Sequence, residues 1–305
     1  VDGQVWYDST NADFKYQYLN LTTAGAWSTG GNLNTARSGL GGTGAQTAAI
    51  VAGGYTPVPT YNQSVTELYN GSSWTETTDL AQARRGLAGA GTQTAAIFFA
   101  GIIPGDSVTG NTESWNGSSW TELADLNTAR RGCGGNGTQT AALAEGGNTY
   151  PGGNVANVES WNGSSWTEIA DVNSAKNDTR AVGTQTSALV FGGDPSNQAA
   201  TESWNGSSWT EVNDLNIGRS SLGGAGTDNT SALGFGGYAA TGPTAATEEW
   251  NGTSWTEVND LGTARYQLTG VGTNASALAA GGVAGGPRLA ATEEWLGPGQ
   301  PIGAW

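Results

Sequence analysis

The 305-residue chain has no histidine, no methionine, one cysteine and only 11 basic residues. Each shortage excludes a class of chemistry. Without histidine there is no Ser-His-Asp or Cys-His machinery and no histidine-ligated copper or iron. Zinc sites of Cys/His type fall with them, and a lone cysteine cannot close a disulfide within the chain. A net charge of −15 argues against nucleic acid and anionic membrane surfaces as partners. The longest strongly apolar run, Ala95 to Ile103, is too short to cross a bilayer. No secretory signal pattern opens the chain. The missing methionine, at position 1 as elsewhere, reads as a processed chain or a piece of a longer one.

Glycine, by contrast, is abundant at 50 residues, and it recurs at fixed places in a long repeat. Six segments align, from "LNTARSGLGGTGAQTAAIVAGG" at Leu33 through copies beginning at Leu80, Leu126, Val172, Leu215 and Leu261. Each runs through a variable stretch into a hairpin such as "TESWNGSSWTE". The aromatic of that hairpin falls at Tyr69, Trp115, Trp161, Trp204, Trp250 and Trp295, a period of 43 to 46 residues. That length is the length of a propeller blade. Repeats override the two-domain prior set by length, because each copy buries its faces only against its neighbours.

One copy reads as four strands. The first is the Gly-rich segment Arg130 to Gly135, and the second is an apolar run ending at Gly147. The third, "VESW", ends at Trp161, and the fourth, "SSWTEI", ends at Ile169. Between the last two stands Asn-Gly, a strong hairpin signal because both residues tolerate positive φ. No long stretch carries the 3.6-residue period of a helix. The fold class is therefore all-β.

The order of basic residue, Gly-rich strand, apolar strand ending in Gly-Gly, aromatic strand and Trp-bearing strand resembles the kelch repeat. The resemblance spans roughly residues 26–296, with Gly-Gly at 53–54, 146–147, 192–193, 236–237 and 281–282 and a departure at Ala100-Gly101. It implies a β-propeller with four antiparallel strands per blade. The wording "LNTARRG…GTQTAAL…GG…TESWNGSSWTE" is also similar to repeats in fibre or appendage proteins of marine tailed bacteriophages. After "ATEEW", ending at Trp295, no "NGSSWTE" follows, while "AGAWSTGGNL" from Ala24 matches that missing strand. The expectation is six blades, with the strand around Trp27 completing the last and removing free sheet edges. Residues 1–23 then form a hairpin or cap, 24–296 the propeller and 297–305 a tail. Seven blades is the alternative, should "VWYDS" and "FKYQYLN" begin another.

The basic residues Arg37, Arg84, Arg130, Lys176, Arg219 and Arg265 share one repeat column, and Arg85 and Arg131 follow directly. Around a propeller channel this column forms a ring of cations near one mouth, suited to carboxylate, phosphate or sulfate. Kelch domains that capture acidic peptides use arginines at this place, so the resemblance implies an anion site. A second column, Glu67, Glu113, Glu159, Glu202, Glu248 and Glu293, offers the competing reading: ion pairs between blades, since buried charge is tolerated only when paired. The variable stretches between second and third strands share a face with the cation column. Tyr55, Tyr61, Tyr150 and Tyr238 lie in them as stacking candidates. The paired tryptophans read as packing between blades. The Asn-Gly-Ser/Thr triplets read as turns, Cys133 as a small core residue, and Asp106 and Asp194 as loop carboxylates too dispersed for calcium.

The expected function is a non-catalytic recognition module, adhesin-like or a viral appendage domain, on a virion or extracellular surface. Its partners would be a surface glycan or protein receptor, met through the variable loops, and a larger virion or surface assembly. Nucleic acid, membrane insertion, metal and cofactor are not expected. The alternatives are a propeller glycosidase of sialidase-like kind, or a structural spacer or decoration protein. An enzyme should break the symmetry of the repeat with one set of acid, tyrosine and arginine, and the sequence reads as lacking such a set.

Overall fold

Each second strand carries the longest apolar run of its copy, as in Ala95–Phe99 and Ser187–Phe191, and four of its five residues are buried. A strand covered on both faces needs a neighbouring sheet on each side. The computed structural model, described for residues 4–10, 13–17, 24–57, 61–196 and 198–299, supplies them. Among the described residues there is no helix, and six four-stranded antiparallel sheets follow one another along the chain. In the third copy the strands are Gly134–Thr138, Ala141–Glu145, Val158–Trp161 and Trp166–Ile169. The sixth sheet takes Thr269–Gly272, Ser276–Ala280 and Thr292–Leu296 from the end of the chain and Ala26–Thr29 from its beginning. Trp27 stands opposite Trp295 in that pairing.

The core lies between sheets. Six apolar clusters each join two consecutive sheets, and one of them joins the sixth to the first through Val271, Leu278 and Ala280 against Leu40, Val51 and Trp74. The first strands pack side by side in the same order, and Thr269–Gly272 returns against Gly41–Ala45. Fourth-strand indoles tie neighbours together. Trp74, Trp166 and Trp255 donate Nε1–H to Thr292, Thr112 and Thr201 at 3.0–3.1 Å. Trp27 does the same to Thr247 at 3.1 Å, so a residue from the N-terminal end fills the role of the missing tryptophan. The arrangement is propeller-like. Residues 4–8 and 13–17 pair as an antiparallel hairpin. The expected tail lies outside the described residues beyond 299.

Two local expectations need correction. The first strand begins at Gly134 instead of Arg130, and the second stops at Glu145, short of Gly147. The reason is backbone: Gly132, Gly146 and Gly147 take φ of 61°, 61° and 116°, which turns the chain out of the sheet. The hairpin is also not a two-residue Asn-Gly turn. Trp161 pairs with Trp166, so four residues form the loop and only Gly163 has positive φ. Asn162 Oδ1 accepts both Ser164 N–H and Ser165 N–H at 2.9 Å, an Asx-type closure.

Candidate functional site

The cation column is wholly interior. Arg37, Arg84, Arg130, Lys176, Arg219 and Arg265 are each 0% exposed. They lie 2.8–3.2 Å from Glu67, Glu113, Glu159, Glu202, Glu248 and Glu293 respectively. The competing reading placed such pairs between blades, but each joins two residues of one copy. The second carboxylate oxygen accepts a backbone N–H at 2.6–2.7 Å in all six copies, from Asn34 in the first and Asn127 in the third. Burial pulls the guanidinium pKa values of Arg37, Arg84, Arg219 and Arg265 down, and the adjacent carboxylate opposes it. These six candidates therefore face glutamate within the fold and present no open cation to solvent.

Two residues beyond each cation the chain turns through positive φ, at Gly39, Gly86, Gly132, Asp178, Ser221 and Gln267. Five backbone hydrogen bonds join neighbours in this series. Gly86 donates to Gly39, Gly132 to Gly86, Ser221 to Asp178, Gln267 to Ser221 and Gly39 to Gln267, at 2.7–2.9 Å. Asp178, the acid in this series, stands next in order after Gly132. The six residues rim a cavity of about 330 Å³. Just outside it, single bridges such as Arg85 with Ile102 and Ser38 with Tyr55 pin the variable loops to the rim. The variable loops and this mouth thus share a face.

Arg85, Arg131, Arg180 and Arg288 line the cavity. Of the eleven basic residues, six stand in the buried column, these four stand here, and Lys15 is the remaining one. Arg85 donates to Asn62 Oδ1 at 2.6 Å and to Asp106 Oδ1 at 2.8 Å. Arg85 and Arg288 both lie over the Tyr55 ring, at 5.0 and 4.7 Å from its centroid. Tyr55, a stacking candidate, is thus a platform for guanidinium groups. Arg180 runs past Gly224 and donates to the Gly270 carbonyl. Burial lowers its pKa to about 10, still well above neutrality. Asp178 is half-buried, and burial raises its pKa while Arg131 opposes the rise.

Beneath the mouth the repeat is broken once more. Glu145 occupies the place of Ala52, Phe99, Phe191, Phe235 and Ala280. Phe99, Phe191 and Phe235 press on Gly135, Gly224 and Gly270, where an added Cβ would meet the ring at 2.5–2.9 Å. Glu145 instead belongs to the boundary where Ala181 stands in that glycine column. Its Oε1 accepts Asn136 Nδ2–H at 2.8 Å, while Oε2 and Asn136 Oδ1 have no hydrogen-bond partner among the described residues. Burial pushes the carboxyl pKa up to about 8, with Arg130 opposing. Cys133 is 7% exposed, and burial drives its thiol up to about 12, so it offers no thiolate.

Of the other tyrosines, Tyr61 stacks on Tyr55 at 5.9 Å and Tyr238 meets Tyr266 at 5.1 Å. Tyr150 is 64% exposed. Asp178, Tyr55 and four arginines line one cavity, a grouping that no single copy of the repeat contains. Sequence reasoning noticed Arg85 and Arg131 only as neighbours of the column, and missed Arg180, Arg288 and Glu145. The available signal was departure from column identity: Arg180 stands where other copies carry Gly41, Ala88, Gly134, Gly223 and Thr269. No protein-family model matches the chain, and no curated protein matches its sequence.

Proposed function

We propose that the chain is a non-catalytic recognition module on a six-bladed, kelch-like propeller, and that it binds an anionic ligand at the axial mouth of its loop-bearing face. One observation carries this reading: in a protein of net charge −15, four of the five basic residues outside the buried column line a single cavity. Guanidinium groups held by Tyr55 and by backbone are preorganised for oxyanions. The blade number is supported by six apolar clusters, including one between the sixth sheet and the first. The similarity of the repeat to appendage proteins supports an adhesin-like or viral appendage domain, displayed on a virion or extracellular surface. Its partner would be a surface glycan or protein.

The test is a panel of anionic and neutral glycans offered to the parent and to Arg131→Ala, with thermal stability followed in parallel. Anionic members should bind, and Arg131→Ala should weaken them about tenfold, or about 1.4 kcal/mol, at unchanged stability. Equal binding of neutral and anionic members, or full binding by Arg131→Ala, would overturn the reading. Glycan recovered cleaved would favour the glycosidase alternative, with Asp178 its first acid to replace.

A further inference from the structure

The loop-bearing face has opposite charges at its centre and its perimeter. The centre carries the four arginines against Asp178, with Asp106 paired to Arg85. The perimeter carries Asp79, Asp125, Asp171, Asp214 and Asp260, one in each of five fourth-to-first connections, all exposed. Four of them hold their place by accepting a third-strand N–H, from Thr66, Thr112, Thr201 and Thr247, at 3.1–3.4 Å. The acids therefore recur with the repeat, whereas the arginines do not.

A polyanion laid across this face would put one charge over the arginines and its other charges over aspartates, which repel them within a Debye length of about 8–10 Å. A chain with one anionic end does not meet that barrier. Arg180, bonded to the Gly270 carbonyl, separates the axial cavity from a smaller cavity of about 120 Å³ below, and is the one side chain beyond glycine lining both. At about 330 Å³ the upper cavity lies at the small end of the about 300–1,000 Å³ typical of ligand pockets. It has room for a terminal group. Around it, the exposed large apolar side chains described on the variable loops are Tyr61, Tyr150 and Tyr238. Aromatic rings with a polar tip suit the faces of neutral sugars.

We infer, resting on the recognition reading above, that the ligand is an otherwise neutral saccharide carrying one terminal oxyanion, inserted end-on into the axial mouth, and that polyanions are rejected. The oxyanion can be the carboxylate of a uronate or a sulfate ester, since both offer acceptors to a guanidinium fork.

Calorimetry would use a neutral tetrasaccharide capped at its non-reducing end by one glucuronate, the same chain capped by one sulfate, the uncapped chain, and polyglucuronate of equal length. A neutral tetrapeptide with a free C-terminal carboxylate completes the set. At least one capped chain should bind about tenfold more tightly than the uncapped chain, with shallow salt dependence, and the better cap names the oxyanion. Polyglucuronate should bind more weakly than its singly capped counterpart, and the Asp125→Asn/Asp171→Asn variant should narrow that gap. Polyglucuronate binding most tightly, with steep salt dependence, would overturn end-on recognition while leaving an anion-binding module intact. The peptide matching the capped saccharides would overturn the saccharide assignment alone. Failure of every anionic probe would sink the recognition reading itself.

Discussion

Arg130 and Arg131 stand side by side in the chain, yet the first is fully buried 3.2 Å from Glu159 while the second is half-buried and lines the axial mouth. The first belongs to a column filled by a cation in every copy. The second belongs to one read as Ser38, Arg85, Arg131, Asn177, Ser220 and Tyr266. A feature present in all six copies solves a problem that every copy has, here the satisfaction of a carboxylate buried between strands. A feature present in two copies solves a problem of one place. The boundary between the third and fourth copies repeats the contrast: Phe against Gly recurs at three boundaries as packing, and Glu145 with Ala181 marks one boundary as different.

The sharpest way to break this comparison is to truncate each arginine in turn. Arg130→Ala strands Glu159 in a site that is 0% exposed and should cost about 3–5 kcal/mol of stability, read by denaturant unfolding. Arg131→Ala, the variant used above for binding, should stay within about 0.5 kcal/mol of the parent. Comparable losses would erase the distinction between architecture and site.

The second expectation concerns Glu145 and has a definite sign. Its carboxyl, ordinarily at 4.5, is pushed up to about 8 in the fold, so the folded protein binds this proton more tightly than the unfolded chain does. That contribution is complete below the ordinary carboxylate range and is lost as pH rises through about 8. Between about pH 6 and pH 9 the parent should lose about 3 kcal/mol relative to Glu145→Gln. A parallel pH profile for the two proteins would mean that Glu145 is ionised throughout and has a partner at Oε2.

The smallest effect lies at the rim. Arg85 and Asp106 form a pair with side-chain exposures of 26% and 78%, and such pairs contribute about 0–1 kcal/mol. Asp106→Asn should shift stability by less than about 0.5 kcal/mol, while freeing Arg85 and strengthening anion binding severalfold. Unchanged or weaker binding would show that Asp106 positions Arg85 for the ligand.

Much of the architecture was legible in the sequence. Strand type and order follow from runs such as "TAALAEGG" and "VESW", and Trp27 was recognisable as the partner of Trp295 because one hairpin lacked its second half. Strand ends were less legible. Arg130 and Gly147 were placed inside strands because φ at Gly132 and Gly146 depends on which neighbouring backbone the turn must meet, and no single copy contains that neighbour. The site was the least legible. Arg180 and Arg288 lie 108 residues apart in number and meet at one cavity only because the sheets of different copies pack against one another.

What the sequence determined by itself is the unit: four strands, their order, the tryptophans that pack them and the paired columns of Arg and Glu, all set by local pattern repeated six times. The tertiary structure alone decided which cations are open. Arg84 and Arg85 have the same chemistry, and only the turn that follows them sends one side chain in to Glu113 and leaves the other at the mouth. Burial depends on what the neighbouring copies place around a residue, and that is a property of the assembled sheets and of no single repeat.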